Sequence, residues 1–554
     1  MGHNYWLWLG LSILNAILLF FATTKFLLSM QQLGYKGYRY FKWMYSKRNP
    51  YLSRLMLLSL LGFLFFCILG ITFARLAGGL DSFIGFFAYV FFMLVYIDME
   101  KHVNVKLKLK KTKRLVRLAI VYLLVLAGVS FGLFALLDYI EVTLIYKAIK
   151  NGTIGYAGEV FGVLKYSLIA LTPFLAPFLL SVGYYILKPF EDLNNKRYLK
   201  LSKRILGHSD AIKIGITGSY GKTSVKEILA TILSVRYRVL ATPESYNTPL
   251  GIAYAVKKLE STHDVFIAEM GAREVGDISD LANMVCPDIA VLTGLNSQHL
   301  ESFKTIENIK NTKYELFENL KQNGKAFFNI DSPWAKELAD KFSGEKYCVS
   351  LNGGFVSAKN LVYNNEGISF DLVIEGERPI KCSTTLIGEH SIANILLAVA
   401  VAYKLGLNRN EIFVGVTRLH SVKHRLQVLP TGSGVTLIDD SYNSNIDGFK
   451  CALKALSAFS GRKIIVTPGL VELGANQGVL NYEVGKLIAS NCDVMIISAK
   501  TNAEMLIKGF VDGGKDTKDI LYAKNHVKAK ELLNNILQKG DVVLFENDLP
   551  DTYE

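Results

Sequence analysis

Cysteine is scarce in this chain and never closely paired. The 554 residues hold six, Cys67, Cys286, Cys348, Cys382, Cys451 and Cys492, and no two form a Cys-x-x-Cys unit. That spacing excludes a zinc ribbon and a disulfide framework, and leaves reduced thiols as the reading. Acidic residues are scarce in one half only. Residues 1–210 contain 25 Lys+Arg against 9 Asp+Glu, a net of +16; the remainder contains 37 against 39, a net of −2. The excess charge therefore lies among long apolar runs, where membrane topology accounts for it. Nucleic acid is not an expected partner, because no surplus of positive charge remains for a binding face.

The apolar runs are abundant. "YWLWLGLSILNAILLFFATTKFLL" begins at Tyr5. It lacks the basic start and small-residue cleavage site of a secretory leader, and reads as a retained helix. Others lie near 55–74, 80–97, 118–137 and 161–187. Each approaches the roughly 20 residues that span a bilayer. The run at 80–97 is short enough to be re-entrant. The run at 161–187 contains Pro173 and Pro177 and is expected to kink or split. Two connecting segments, 31–54 and 98–117, carry six and eight Lys+Arg; those near 75–82 and 138–160 carry one and two. This alternation predicts five helices, the N-terminus outside, and everything after Leu187 in the cytoplasm. The basic loops also suit anionic lipid headgroups. "KPFEDLNNKRYLKLSKRILGHSD" follows, basic and amphipathic, and reads as an interfacial helix. The expected organisation is an α-helical membrane domain (1–190), an amphipathic linker (191–208), and two α/β domains (209–421 and 422–554).

The α/β half opens on "GITGSYGKTS", residues 215–224, which lacks a glycine where the common phosphate loop needs one. That loop places a glycine five positions before the Gly of Gly-Lys. Here the position is Ile216, and only Ser219 and Tyr220 separate Gly218 from Gly221. The context is nevertheless right for an anion. "AIKIGITG" is a buried-strand pattern, and "KTSVKEILATILSV" sets Val225, Ile228, Leu229, Ile232 and Leu233 on one helical face. Backbone N–H groups and the helix dipole then point at a phosphate. Lys222 would reach the terminal phosphates and the Thr223 hydroxyl would ligate magnesium. Thr217, Gly218, Ser219, Tyr220, Gly221 and Ser224 complete the expected nucleotide loop.

The short loop resembles that of the Mur ligase family. Seven further segments match the family in order: "ESYNTPLGI" (244–252), "AEMGAREVGDI" (268–278), "GLNSQHLESF" (294–303), "KNTKYELFENL" (310–320), "GEHSIANILLAVAVA" (388–402), "HRLQ" (424–427) and "DDSYNSN" (439–445). The last is most similar to the branch that adds D-alanyl-D-alanine. The resemblance covers about 209–554. It implies a central P-loop ATPase domain followed by a mobile, Rossmann-like C-terminal domain that brings the amine. It also implies an ATP-dependent amide ligase of cell-wall (peptidoglycan) precursor synthesis, working through an acyl phosphate with ATP and two Mg2+ ions. Residue by residue, Lys222 would hold the β/γ-phosphates. Thr223 and Glu269 would hold one magnesium, and His299 the second. Lys313 would join them as a carbamylated lysine. Asn394 would meet adenine, Arg425 and Asp440 the γ-phosphate and ribose, and Tyr442 and Asn443 would flank the nucleotide.

The chain departs from the family in three places. Soluble members begin with a small domain for the UDP end of the precursor, and here apolar helices stand instead. The C-terminus reads "VLFENDLPDTYE" where the D-alanyl-D-alanine-adding branch has a basic Val-Lys-Gly-Ser-Arg, and Arg273 replaces an Asn. These departures lead to the expectation of a lipid-linked glycan or peptide acceptor held at the membrane, with an amino acid or dipeptide as donor. Two other expectations stand beside it. One is a membrane-tethered D-alanyl-D-alanine-adding enzyme acting on the UDP-linked precursor. The other is a nucleotide-gated transporter or scaffold carrying a borrowed ligase domain.

Overall fold

The computed structural model describes residues 5–45, 50–74, 81–101, 109–150, 167–296, 300–431, 433–442, 445–471, 473, 476–523 and 526–546. They fall into two compact units, one up to Asn194 and one from Asn195.

The first unit is helical: Tyr5–Ala22, Thr24–Gln32, Gly37–Met44, Pro50–Ala74, Asp81–Lys101, Lys113–Lys150 and the first part of Thr172–His208, which a 3-10 turn at Leu168–Leu171 precedes. Among the described residues, three stretches are long and apolar enough to cross a membrane: Tyr51–Leu69, Lys113–Leu137 and Leu168–His208. A fourth counts if Trp8–Ala22 and Thr24–Gln32, bent by 52°, form one span. Five were expected. The fifth run forms the helix Asp81–Lys101, whose side chains are described only from Phe86, which leaves it short of that length.

Inside this unit a few polar groups replace dispersion as the selector of partners. Asn15 Nδ2 donates to Ser130 Oγ and Thr172 Oγ1, both at 3.0 Å, while Tyr89 OH donates to Asn15 Oδ1 at 2.8 Å. Such groups are costly unpaired, so a satisfied set fixes which helices meet. The expected break at Pro177 does not occur. Thr172–His208 runs through Pro177 and Pro189 as one helix. Tyr122 OH and Tyr40 OH donate to the carbonyls of Ala176 and Pro177, each at 3.0 Å. Side-chain donors of this kind satisfy backbone groups around a proline and let a helix continue.

The second unit holds two sheets. The first comprises β1 (Ile212–Thr217), β2 (Val239–Ala241), β3 (Val265–Glu269), β4 (Ile289–Leu292), β5 (Lys325–Asn329), β6 (Lys346–Ser350), β7 (Gly353–Gly354), β8 (Val356–Asn364), β9 (Gly367–Ile374) and β10 (Ile380–Thr384). Their order is β10-β9-β8-β6-β5-β4-β1-β3-β2, with β7 paired to β6. From β2 to β8 the path is parallel; β9 and β10 add an antiparallel edge. Strands β1, β3 and β4 are apolar on both faces because helices cover both. Lys222–Leu233 and Glu389–Lys404 pack with Ile214, Ile216 and Ile267 on one side. Pro249–Val256 and Asp277–Val285 pack with Phe266, Ala268 and Ala290 on the other.

The second sheet comprises β11 (Gln427–Pro430), β12 (Thr436–Asp440), β13 (Lys463–Thr467), β14 (Val494–Ile497), β15 (Ile520–Tyr522) and β16 (Val542–Glu546). The order is β11-β12-β16-β13-β14-β15, parallel except for β11. This is the doubly wound pattern expected from the alternation of apolar runs. Such sheets bind ligands beyond the carboxyl ends of their strands.

Candidate active site

The glycine loop lies where β1 ends and the helix Lys222–Leu233 begins. Gly218 has φ +155° and Gly221 φ +78°, conformations that side chains rarely adopt. Both glycines also permit close approach. A Cβ on Gly218 would come within 2.9 Å of the Gly294 carbonyl oxygen, and one on Gly221 within 2.9 Å of Asn394 Oδ1. Asn394 therefore sits against the loop, although the Glu389–Lys404 helix carries it. Ser219 N–H donates to the Gly294 carbonyl at 2.7 Å, and Thr293 Oγ1 donates to the Tyr220 carbonyl. Thr217 Oγ1 donates to the Met270 carbonyl at 3.0 Å, tying the loop's first residue to the end of β3. Lys222 Nζ donates to the carbonyls of Gly218 (2.8 Å) and Ser219 (3.2 Å). Thr223 and Ser224 are the second and third residues of the helix.

Glu269 ends β3 directly beside Ile216 of β1 and is 1% exposed. Its Oε1 accepts from Asn247 Nδ2 at 3.0 Å. Its Oε2 accepts no hydrogen bond, but the Lys226 ammonium stands 3.5 Å away. Lys226 itself is wholly buried; it pairs with Glu227 at 3.1 Å and donates to the Glu244 carbonyl. A buried carboxylate oxygen without a hydrogen bond is the kind of donor a hard cation takes, so these residues fit magnesium. Among the described residues no group of three or more His, Cys, Asp or Glu side chains forms a metal cluster. Any further protein oxygen must come from Thr223 or a modified Lys313. His299 lies outside the described residues.

Lys313 is buried on the helix Ile306–Glu318, whereas Lys310, one turn earlier, pairs at the surface with Glu307 (2.8 Å) and Glu337 (2.7 Å). Burial pushes the Lys313 amine down to about 7, and the charge of Lys222 pushes the same way. Lys222 falls to about 8, chiefly through burial, with Glu269 opposing and Arg425 assisting. The structure thus brings Lys222, Glu269, Lys313 and Arg425 into one electrostatic neighbourhood.

Beside the loop opens a cavity of about 330 Å³ between the two sheets. Tyr220, Gly221, Ser224 and Asn394 line one wall; Arg425, Asp440 and residues 445–454 line the other. Arg425 stacks on the Tyr442 ring at 4.2 Å, and Leu426 N–H donates to Asp440 Oδ1 at 3.1 Å. Burial pushes the Asp440 carboxyl up, against the pull of Arg425. Asn443 lies outside the described residues. His390, which sequence reasoning left unmarked, also lines the cavity. Burial, with Arg425 nearby, lowers it to about 4, so it is a neutral imidazole. Its signal was the Gly-x-His start of the segment at 388.

A second polar knot stands at the carboxyl end of β13. Leu470 N–H donates to Asn481 Oδ1 at 2.8 Å, and Asn481 Nδ2 returns a bond to the Leu470 carbonyl at 2.9 Å. Asn502 Nδ2 donates to the carbonyls of Pro468 and Leu470. The loop 468–470 is thereby held rigid beside the place where a doubly wound sheet takes a ligand.

Comparison with known proteins accords with this geometry. The profile of the Mur ligase middle domain matches residues 216–402, and that of the Mur ligase glutamate ligase domain matches 424–546. UDP-N-acetylmuramoyl-tripeptide--D-alanyl-D-alanine ligase of Buchnera aphidicola (subsp. Baizongia pistaciae) is 31% identical over 312 residues, 56% of this chain and 67% of the relative. The enzyme of that name from Mycobacterium leprae is 30% identical over 365 residues, 60% and 70% of the two chains. Among solved structures, MurF from Thermotoga maritima in complex with ADP superposes with a TM-score of 0.57 at 26% identity, covering 64% of this chain and 80% of that one. MurF from Acinetobacter baumannii gives 0.59 at 23% identity, covering 65% and 78%, a likeness of fold.

Proposed function

Because the chain belongs to the Mur ligase family, and is thereby an ATP-dependent ligase that works with Mg2+, we propose that it joins D-alanyl-D-alanine to the free carboxylate of a muramoyl-peptide precursor. The observation that carries the reading is the convergence of Lys222, Glu269 and Lys313 at the ends of β1 and β3, beside a cavity of nucleotide size. The donor identity follows the names of the relatives.

In this reading the acceptor carboxylate attacks the γ-phosphorus of ATP, giving an acyl phosphate and ADP. The amine of the dipeptide then attacks the acyl carbon, phosphate leaves with the bonding pair, and the amine gives up a proton. Lys222 and the loop N–H groups hold the phosphates in line and balance their charge, which is most of what phosphoryl transfer asks of a protein. Glu269, Thr223, His299 and a carbamylated Lys313 would hold the magnesium, which supplies charge neutralisation at the phosphates. Asn394 and Tyr442 would hold the base, and Asp440 the ribose. Movement of residues 422–554 towards 209–421 would shield the acyl phosphate from water.

A second reading concerns the acceptor. Neither family profile reaches residues before 216, and the preceding segment contains helices long and apolar enough to span a bilayer. We accordingly place the chain in the cytoplasmic membrane with both α/β domains on the cytoplasmic side, where a lipid-linked form of the precursor would meet them. Purified full-length protein, assayed for ADP release with D-alanyl-D-alanine and either the UDP-linked or the lipid-linked acceptor, tests both readings. Lys222→Ala is expected to lose at least about a hundredfold in rate. Turnover of the UDP-linked form alone overturns the lipid-linked reading. ATP consumption that needs no acceptor overturns both, and favours a nucleotide-gated transporter or scaffold.

A further inference from the structure

The helix Thr172–His208 changes character along its length. It is apolar up to Leu187, and from Lys196 to His208 it carries five bases and no acid. As a free interfacial helix it would expose that whole stretch. The structure shows otherwise: Ser202 and Leu206 are each 1% exposed, and Ser202 Oγ meets the carbonyl of Ala253 at 3.5 Å. One side of the helix is therefore part of the ligase unit.

The uncovered side has a specific composition. Arg197, Tyr198, Leu201 and Arg204 follow at i, i+1, i+4 and i+7, and so share one face. All four are exposed. The face does not stop at the helix. Lys257 Nζ sits 3.9 Å above the Tyr198 ring, and Lys258 and Tyr254 follow it with centres 5.8 Å apart. Tyr254 in turn meets Tyr246 edge-on at 5.7 Å. Tyr198, Tyr246, Tyr254 and Leu201 are 38%, 41%, 51% and 50% exposed. Among the described residues none of the four bases pairs with a carboxylate. Segments 195–208 and 246–258 hold no acidic residue at all, in a half of the chain whose net charge is slightly negative.

Unpaired bases interleaved with half-exposed tyrosines and a leucine suit one partner well. Tyrosine rings settle at the headgroup level, Lys and Arg keep their heads in the anionic layer, and short apolar side chains dip below it. We infer that the ligase unit docks this face, from Arg197 to Tyr246, on the anionic surface of a lipid bilayer. The inference rests on the membrane placement proposed above. Its consequence is positional. Tyr246 immediately precedes Asn247, the residue that holds Glu269, so docking sets the edge of the catalytic centre against the lipid surface.

The test uses the full-length chain in nanodiscs of phosphatidylcholine alone or with phosphatidylglycerol. Lysines are acetylated with a water-soluble reagent and read by mass spectrometry. Docking predicts that Lys257 and Lys258 react about fivefold more slowly in the anionic discs. Lys518, exposed on the second sheet's side, should be unchanged. High salt should remove the difference. The double substitution Arg197→Glu/Arg204→Glu should abolish the protection while the protein stays in the discs. Equal rates in the two discs overturn the docking and leave the membrane placement standing. Protein that enters neither disc overturns both. Protection that needs no lipid and grows with protein concentration assigns the face to a second copy, and overturns the docking.

Discussion

At the scale of the residue, the site depends on charges buried without water. Lys313 is the sharpest case, since only its neutral amine can take up carbon dioxide. Its amine lies at about 7 because burial, and then Lys222, disfavours the ammonium. Carbamate formation should therefore be slight at about pH 6 and extensive by about pH 8, the amine losing its proton between them. The carbonyl signal from 13C-bicarbonate, followed by NMR across that range and absent in Lys313→Ala, checks it. A pH-independent signal would remove Lys313 from the role. The register of "KNTKYELFENL" picked Lys313 over Lys310 correctly in respect of burial. Lys226 escaped notice for a physical reason. A lysine amid "KTSVKEIL" reads as the solvated side of an amphipathic helix. Only the tertiary neighbour Glu269, brought beside it by the pairing of β1 with β3, reveals a buried cation.

At the scale of the element, rigid turns at strand ends carry the function, and they are sensitive to a single methyl group. Gly469 has φ +80°, and a Cβ there would run into Asn481 Oδ1. Gly469→Ala is expected to cost at least about 1 kcal/mol in urea unfolding. It should also raise KM for the amine donor, leaving KM for ATP near the wild-type value. An equal rise in both would place the 468–470 loop outside the donor site. Which elements were legible follows from length and burial. β12, β13, β14 and β16 are apolar runs of four or five residues framed by turns, and each was read from the sequence. β2 and β15 are three residues long and show no period. The edge from β8 to β10 alternates apolar and polar side chains, but a bulge between Lys359 and Val362 interrupts its register. The Pro177 break was expected from the backbone alone. The tyrosine hydroxyls that prevent it come from helices far away in sequence.

At the scale of the whole molecule, the chain joins two chemistries that charge already separates: +16 before Asp210's end and −2 after it. Its helical unit exposes Trp6, Phe21, Phe65, Phe87 and Phe91, each at least 45% accessible, a surface that water does not stabilise. The full-length protein should therefore stay in the membrane pellet through an alkaline carbonate wash, as judged by immunoblot. Release into the supernatant would argue for a soluble enzyme with an aggregated helical half. The centre itself is insulated from such questions of address. Lys226 already balances Glu269 from within the fold, and Asn247 already holds its other oxygen. The ligase can therefore shed metal and spent nucleotide after every cycle without an orphaned charge loosening the walls. Its shape is set at synthesis, and turnover begins and ends in the same conformation of that carboxylate.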